Sequence, residues 1–267
     1  MQSGLLAGGS ENSQIYIWAP DTNFCYKQIQ EIGQVFCLLE FEPNKLLSGT
    51  SQCNICLRDI YSTNDDFIFN FLGHENYVLC LVKCNNNIFA SGGNDGTIRI
   101  WDYYQKTQIR TIDDGNNSIL CLIKLKNGNL CSGGSDLSIK FWNWENGECL
   151  DIIVKAHNDY IKSLCEIKEN ILLSGSDDNT IKIWKEYECC GVLEEHKNTV
   201  RALCKINNNY FASGSFDNKI KIWDFKNMKC IQTLEGHYSN VNAVIKLKNN
   251  SLASCSMDKT IKIWEQK

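Results

Sequence analysis

Each of the four histidines in this chain recurs with a serine and an aspartate in fixed order. His74 goes with Ser91 and Asp95, and His157 with Ser174 and Asp178. His196 goes with Ser213 and Asp217, and His237 with Ser254 and Asp258. Serine, histidine and carboxylate are the parts of a hydrolase triad, as nucleophile, base and orienting group. The multiplicity argues against that chemistry, because a nucleophile constellation occurs once per site, not four times along a chain. A tryptophan also closes every set, six residues after the aspartate and ten after the serine: Trp101, Trp184, Trp223 and Trp264. A buried indole N–H needs an acceptor. A hydroxyl accepts from it and donates onward, and a neutral imidazole accepts on one nitrogen while donating from the other to a carboxylate. Residues of these four types can therefore bond in series, and such a series reinforces itself at low dielectric. All four histidines of the chain fall in these sets. The expectation is a non-enzymatic chain with no catalytic residue, no cofactor and no metal.

The elements that position these residues repeat. SGGNDGTIRIWD (91–102) returns as SGGSDLSIKFWN (132–143), SGSDDNTIKIWK (174–185), SGSFDNKIKIWD (213–224) and SCSMDKTIKIWE (254–265). Two weaker copies lie upstream, one ending at Trp18 and one, NICLRD (54–59), with Arg58 in the tryptophan position. The seven units end near residues 18, 58, 101, 142, 184, 223 and 264. A fixed period near forty residues marks a repeat architecture. No linker interrupts it, so residues 1–267 are expected to form one domain.

Within the unit starting near His74, residues 78–83, 88–91, 97–102 and 107–112 are short apolar or alternating runs bounded by Gly, Asn or Asp. They read as four strands, none long enough for an amphipathic helix. Four short antiparallel strands per unit, seven times over, predict an all-β, seven-bladed β-propeller, in which each sheet covers its faces on two neighbours. The first unit starts at strand b (Leu5–Ala7) and the last stops at strand c (Thr260–Trp264), so both blades are incomplete and the count is 26 strands rather than 28. That predicts either a truncated product or weak closure between the first and last blades.

The chain resembles the WD-repeat (β-transducin-like) family over essentially its whole length. Three features carry the resemblance: Gly73-His74 and Gly236-His237 before the first strand, the aspartate six residues before the tryptophan (Asp95, Asp136, Asp178, Asp217, Asp258), and the Trp-Asp end. His157 and His196 keep the histidine but follow Ala156 and Glu195. The resemblance implies one Trp–Ser–His–Asp tetrad per unit, hydrogen-bonded in that order inside the blade, which takes up all four histidines and leaves none as general base or metal ligand. The Trp142 unit has Gly115 for the histidine. The Arg58 unit has Glu31, Ser48 and Gln52, so its tetrad reads as missing. The first unit has Asn12 at the aspartate position. Reduced rigidity of the first two blades is the expectation.

Charge is 27 basic against 31 acidic residues with no long run of either sign, which gives no support to nucleic-acid binding. No apolar run is long enough for a membrane span, so no membrane insertion is expected. The 15 cysteines follow the repeat: Cys37, Cys80 and Cys121 share a position with Ser163, Ala202 and Ala243. A position shared with Ser and Ala is a small core site. Reduced thiols and an intracellular, cytoplasmic location are the reading. Cys53/Cys56 form a CxxC, but strand alternation points them to opposite faces, so core filling outweighs zinc or redox chemistry. Arg99, Lys140, Lys182, Lys221 and Lys262, each two residues before a tryptophan, read as a solvated strand flank rather than a phosphate ring.

The resemblance further implies a scaffold that binds a peptide or protein partner on its top face around the central channel. The positions carried over are Phe36, Tyr77, Leu79, Tyr160, Lys162, Thr199, Arg201, Asn240 and Asn242 beside the start of the first strand. Asn94, Ser135, Asp177, Phe216 and Met257 stand before the turn aspartate. Exposed Tyr, Phe, Met and Arg together have the composition of a hot spot. Tyr103-Tyr104 and Trp144 form a second, weaker candidate. The alternative function is the substrate-recognition module of a ubiquitin ligase assembly whose catalytic or adaptor part lies on another chain.

Overall fold

The computed structural model describes residues 4–20, 24–62, 66–115 and 117–265. Those residues hold twenty-six strands and no helix. Blade 1 is β1 (Leu6–Gly9), β2 (Gln14–Ala19) and β3 (Phe24–Gln30). Blade 2 is β4 (Val35–Glu42), β5 (Lys45–Thr50), β6 (Asn54–Asp59) and β7 (Phe67–Leu72). Blade 3 is β8 (Val78–Lys83), β9 (Ile88–Gly93), β10 (Thr97–Asp102) and β11 (Thr107–Asp113). Blade 4 is β12 (Ile119–Lys124), β13 (Leu130–Gly134), β14 (Ile139–Asn143) and β15 (Glu148–Ile153). Blade 5 is β16 (Ile161–Lys168), β17 (Ile171–Ser176), β18 (Ile181–Lys185) and β19 (Glu188–Leu193). Blade 6 is β20 (Val200–Lys205), β21 (Tyr210–Ser215), β22 (Ile220–Asp224) and β23 (Lys229–Leu234). Blade 7 is β24 (Val241–Lys246), β25 (Leu252–Ser256) and β26 (Ile261–Trp264). The architecture is a seven-bladed β-propeller of antiparallel meanders, with three strands in the first and last sheets. We call the strands of a full blade a to d in chain order.

Two features of the sheets position the candidate site. First, strand a carries a bulge directly after its first residue in blades 2, 3, 5, 6 and 7, between Val35/Cys37, Val78/Cys80, Ile161/Ser163, Val200/Ala202 and Val241/Ala243. A bulge bends the strand and re-aims the extra side chain. Second, strand b runs on through its glycine: Gly92 pairs with both Cys80 and Ile98. A Cβ on Gly92 would lie 2.6 Å from Cys80 Sγ and 2.6 Å from Ile119 Cγ2, and one on Gly214 would lie 2.8 Å from Val241 Cγ1. The glycine thus admits the first residue of the next blade, and the facing position on strand a must be small.

The chain divides into two compact units, residues 1–124 with 143–148, and residues 125–142 with 149–267. In the first, Ile15, Ile17, Ile29, Val35, Leu46 and Ile60 fill the space between blades 1 and 2. Phe41, Phe71, Phe89 and Trp101 do so between blades 2 and 3, with Phe71 edge-on to Phe89 at 5.1 Å and to Trp101 at 5.7 Å. In the second, Leu173, Ile181, Ile183, Val200, Phe211 and Trp223 form the layer between blades 5 and 6. These layers come from the alternate positions of β-branched and aromatic strands, whose other face meets the opposite neighbour.

Candidate functional site

Four hydrogen-bonded tetrads connect the c strand, the b–c turn and the loop before strand a. In blade 3, Trp101 Nε1 donates to Ser91 Oγ (2.8 Å), Ser91 Oγ meets His74 Nε2 (2.7 Å), and His74 Nδ1 meets Asp95 Oδ2 (2.8 Å). In blade 5, Trp184 Nε1 donates to Ser174 Oγ (2.7 Å), Ser174 Oγ meets His157 Nε2 (2.6 Å), and His157 Nδ1 meets Asp178 Oδ2 (2.8 Å). In blade 6, Trp223, Ser213, His196 and Asp217 repeat the chain at 2.7 Å throughout. In blade 7, Trp264 Nε1 donates to Ser254 Oγ (2.8 Å), Ser254 Oγ meets His237 Nε2 (2.7 Å), and His237 Nδ1 meets Asp258 Oδ2 (2.8 Å). With the imidazole proton on Nδ1, every donor has an acceptor: indole N–H to hydroxyl, hydroxyl to Nε2, Nδ1–H to carboxylate. Ser91, Ser174, Ser213 and Ser254 are all buried, so each hydroxyl sits inside its blade rather than on a surface open to a substrate. The aspartate then ties down the loop, since Asp95, Asp178, Asp217 and Asp258 accept the backbone N–H of Glu75, Asn158, Lys197 and Tyr238 at 2.9–3.0 Å.

Burial opposes ionisation of these carboxylates, but hydrogen bonds from the histidine and the backbone, and for Asp178 and Asp258 also from the Thr180 and Thr260 hydroxyls, outweigh it and hold them below the ordinary range. Asp217 lies at about 2, and Asp95, Asp178 and Asp258 lie well below 3.8. A depressed carboxylate pKa stabilises the fold above its unfolded value, and that contribution disappears as pH falls through the folded value. Acid should therefore lower the melting temperature progressively from about pH 4 towards pH 2. Calorimetry across this range checks it; a constant Tm would contradict it.

The variant blades solve the same problem differently. In blade 4, Trp142 Nε1 still donates to Ser132 Oγ (2.8 Å), with Gly115 where the histidine would stand. Blade 2, expected to lack a polar chain, has an ionic one. Arg58, in the tryptophan position, donates from Nε to Glu31 Oε1 (2.7 Å) and from Nη2 to Glu31 Oε2 (3.1 Å). Ser48 Oγ donates to the same Glu31 Oε1 (2.7 Å), and Arg58 Nη1 pairs with Asp66 Oδ1 at 2.6 Å. Glu31 and Arg58 are both buried. A carboxylate in the histidine position and a guanidinium in the tryptophan position are complementary. The expected loss of rigidity in this blade has no basis in its hydrogen bonding. In blade 1, Asn12 accepts from Ser10 Oγ, and Trp18 stacks on Tyr16 at 5.4 Å.

The residues beside the start of strand a cluster within each unit. The bulges put Phe36, Leu79, Lys162, Arg201 and Asn242 at the register shift. In the second unit Lys162 Nζ lies 5.2 Å from the Tyr160 ring centroid and 3.1 Å from Asp177 Oδ2, while Arg201 Nη1 donates to Lys162 O at 3.3 Å. Asn240 Nδ2 lies 3.4 Å from Met257 Sδ, and Asn242 is exposed. Phe216 is half-buried rather than exposed, and its N–H donates to Thr199 O, itself on a buried residue. In the first unit Tyr77 stacks on Phe36 at 5.4 Å, and Asn94 N–H donates to Tyr77 O. Sequence reading missed Tyr238, 87% exposed in the loop before β24. The signal was available: Glu75, Asn158 and Lys197 hold the same position, and only the last unit puts an aromatic there.

The family model for the WD domain, G-beta repeat (WD40), matches residues 65–102, 106–143, 147–185, 187–224 and 228–265, which is more than half of the sequence. The chain belongs to the WD40 family. Similar curated proteins include the ribosome biogenesis protein YTM1 of Candida albicans, 31% identical over 108 residues, 39% of this chain and 23% of YTM1. The target of rapamycin complex subunit LST8-1 of Arabidopsis thaliana is 31% identical over 102 residues, 38% of this chain and 33% of LST8-1. The match thus spans a quarter to a third of these relatives. In fold, the chain is similar to the crystal structure of the WD40 β-propeller domain of Doa1, with a TM-score of 0.86 at 19% identity, over 98% of this chain and 90% of that one. WD40 propellers are in general non-catalytic interaction scaffolds.

Other expectations change within this WD40 framework. The basic residue two before the tryptophan is not a solvated flank in blades 4, 5 and 6. Lys140 pairs with Asp136 at 2.7 Å, Lys182 Nζ donates to Ala156 O at 2.7 Å, and Lys221 is buried against Thr233 and Glu195. Each is spent on its own neighbourhood, not aimed at a common phosphate. Tyr103 is not a surface residue: it is 5% exposed, stacks on Phe41 at 4.1 Å and bonds Glu42, so only Tyr104 of that pair stays outside. Burial first, then Glu31, pushes the Cys56 thiol up to about 12, and burial pushes Cys84 to about 12, which disfavours the thiolate of these two residues near neutral pH. Among the described residues no His/Cys/Asp/Glu group could hold a metal, and no helix is long and apolar enough to cross a membrane.

Proposed function

We propose that this chain is a non-enzymatic protein-interaction scaffold, a single repeat domain over residues 1–267 working inside the cell in the cytoplasm. A peptide or protein partner would engage the top face through Tyr160, Lys162, Arg201, Phe216, Asn240, Asn242 and Met257, with Tyr77 at the same repeat position in the first unit. The observation that carries this reading is the bulge at the start of strand a. It places Lys162, Arg201 and Asn242 at the same point of three consecutive blades, beside exposed Tyr160 and Met257. Tetrads hold the adjoining loops, so the surface is preorganised, which lowers the ordering cost of binding. Two named relatives point the same way: one is called a complex subunit and one a ribosome biogenesis protein.

The test is affinity capture followed by mass spectrometry with the wild type and a Phe216→Ala/Arg201→Ala double variant. The variant should lose its partners while keeping its melting temperature. Identical partner sets from the two chains would remove the top-face reading.

A further inference from the structure

Consecutive blades share a lysine clasp at the far end of strand a. Lys83 Nζ donates to Phe41 O (2.6 Å) and Lys246 Nζ to Ile206 O (2.9 Å), and Lys124 and Lys205 donate likewise to Cys84 O and Ile167 O. Each lysine is the sixth residue of its strand. Blade 5 has Glu166 there instead, and the bond is reversed: Glu166 Oε2 accepts the backbone N–H of Lys126 at 2.8 Å. Where four other junctions present a cation, this one presents a carboxylate; blade 2 also has a glutamate at that strand position, Glu40, which accepts the Asn44 N–H of its own blade.

The same junction departs from the repeat a second time. Four residues join strands c and d in blades 3, 4 and 6, but only Glu186 and Tyr187 do so in blade 5. Both have left-handed backbones, with φ of 51° and 69°. A two-residue hairpin turn of this hand normally uses Asn and Gly, because side chains there are strained. Beneath the short turn is an open cavity of about 240 Å³. Phe141, Trp184 and Tyr187 wall it, with Tyr187 half-exposed and edge-on to Phe141 at 4.9 Å. Glu166 and Glu186 reach its lining, and no lining residue is basic.

We propose that this cavity binds one arginine side chain presented by an extended peptide. It is too small for a drug-sized ligand and suits a single long side chain. A guanidinium is planar, stacks on aromatic rings and forks onto a carboxylate, whereas an ammonium offers only a point charge. The site lies at the end of the strands opposite the b–c turns, so it is separate from the top-face residues.

The test is a titration of the isotopically labelled full chain with acetyl-Ala-Arg-Ala-amide, followed by amide chemical shifts. Saturable shifts are expected at Asn127, Glu166, Glu186 and Tyr187. The same peptide with citrulline, which keeps the shape and loses the charge, should bind roughly tenfold more weakly. Glu166→Gln keeps an acceptor for the Lys126 N–H and should also weaken the arginine peptide roughly tenfold. The Phe216→Ala/Arg201→Ala chain should bind it unchanged. Equal binding of the citrulline peptide, no effect of Glu166→Gln, or shifts located elsewhere would each overturn the proposal.

Discussion

Glu31→Ala should lower the unfolding free energy by about 3–5 kcal/mol. The reason is not the net worth of the ion pair. A buried pair is close to neutral against a well-packed apolar pair, but removing one partner strands the other charge. Arg58 is 8% exposed and spends Nε and Nη2 on Glu31. Its remaining ion pair, to Asp66 at 2.6 Å, holds the loss towards the lower end of that range. Ser48 Oγ, also buried, loses its acceptor in the same substitution. Glu31→Gln keeps the shape and an acceptor oxygen and should fall between the wild type and Glu31→Ala. The decisive variant is Glu31→His with Arg58→Trp and Gln52→Asp, which rebuilds the tetrad of the other blades. It should recover most of the loss in urea denaturation, with strongly non-additive effects of the single changes. If the Glu31→Ala and Arg58→Ala losses simply add, the two residues do not act as one chain.

This blade shows where sequence reading stops short. Compared one at a time with the standard residue, Glu31 and Arg58 amount to a lost tetrad. Compared with one another, they are opposite charges at positions that the repeat brings together. The strand count was legible because period, turn residues and alternation agree with one another. Strand b runs to Gly93, two residues beyond the expected end at Ser91, because a Gly-Gly pair reads locally as a turn. Gly92 is glycine for a different reason: Ile119 of the next blade occupies the space of its Cβ. That contact belongs to tertiary packing, as does the stacking of Tyr103 on Phe41 that takes it out of the surface. The candidate face was legible as positions but not as geometry. Nothing local in the sequence marks the bulges that put Lys162, Arg201 and Asn242 at one register shift, or the partial burial of Phe216.

Ser213→Ala should cost about 2–3 kcal/mol, whereas Ser132→Ala should cost about 1 kcal/mol, although both serines accept from a buried tryptophan. The distances to the indole are 2.7 and 2.8 Å, so the first bond is equivalent in the two blades. The difference lies beyond the hydroxyl. Ser213 Oγ also meets His196 Nε2 at 2.7 Å, and His196 Nδ1 meets Asp217. Removing the hydroxyl leaves two buried polar atoms without their partner, the indole N–H and the imidazole Nε2, and each pays its own desolvation cost. In blade 4 Gly115 stands where the histidine would be, so only the indole N–H is stranded. A further contrast separates this account from simple loss of packing. In an Asp217→Asn chain, Asn can still accept the Lys197 N–H but brings no charge to the Nδ1–H bond of His196. Part of the difference between the two serine sites should then disappear, because the chain beyond Ser213 is already weakened. Equal losses from Ser213→Ala and Ser132→Ala in parallel urea titrations would mean that the histidine and aspartate add nothing to the Trp–Ser bond. The repetition of all four residues around the propeller would then need another cause.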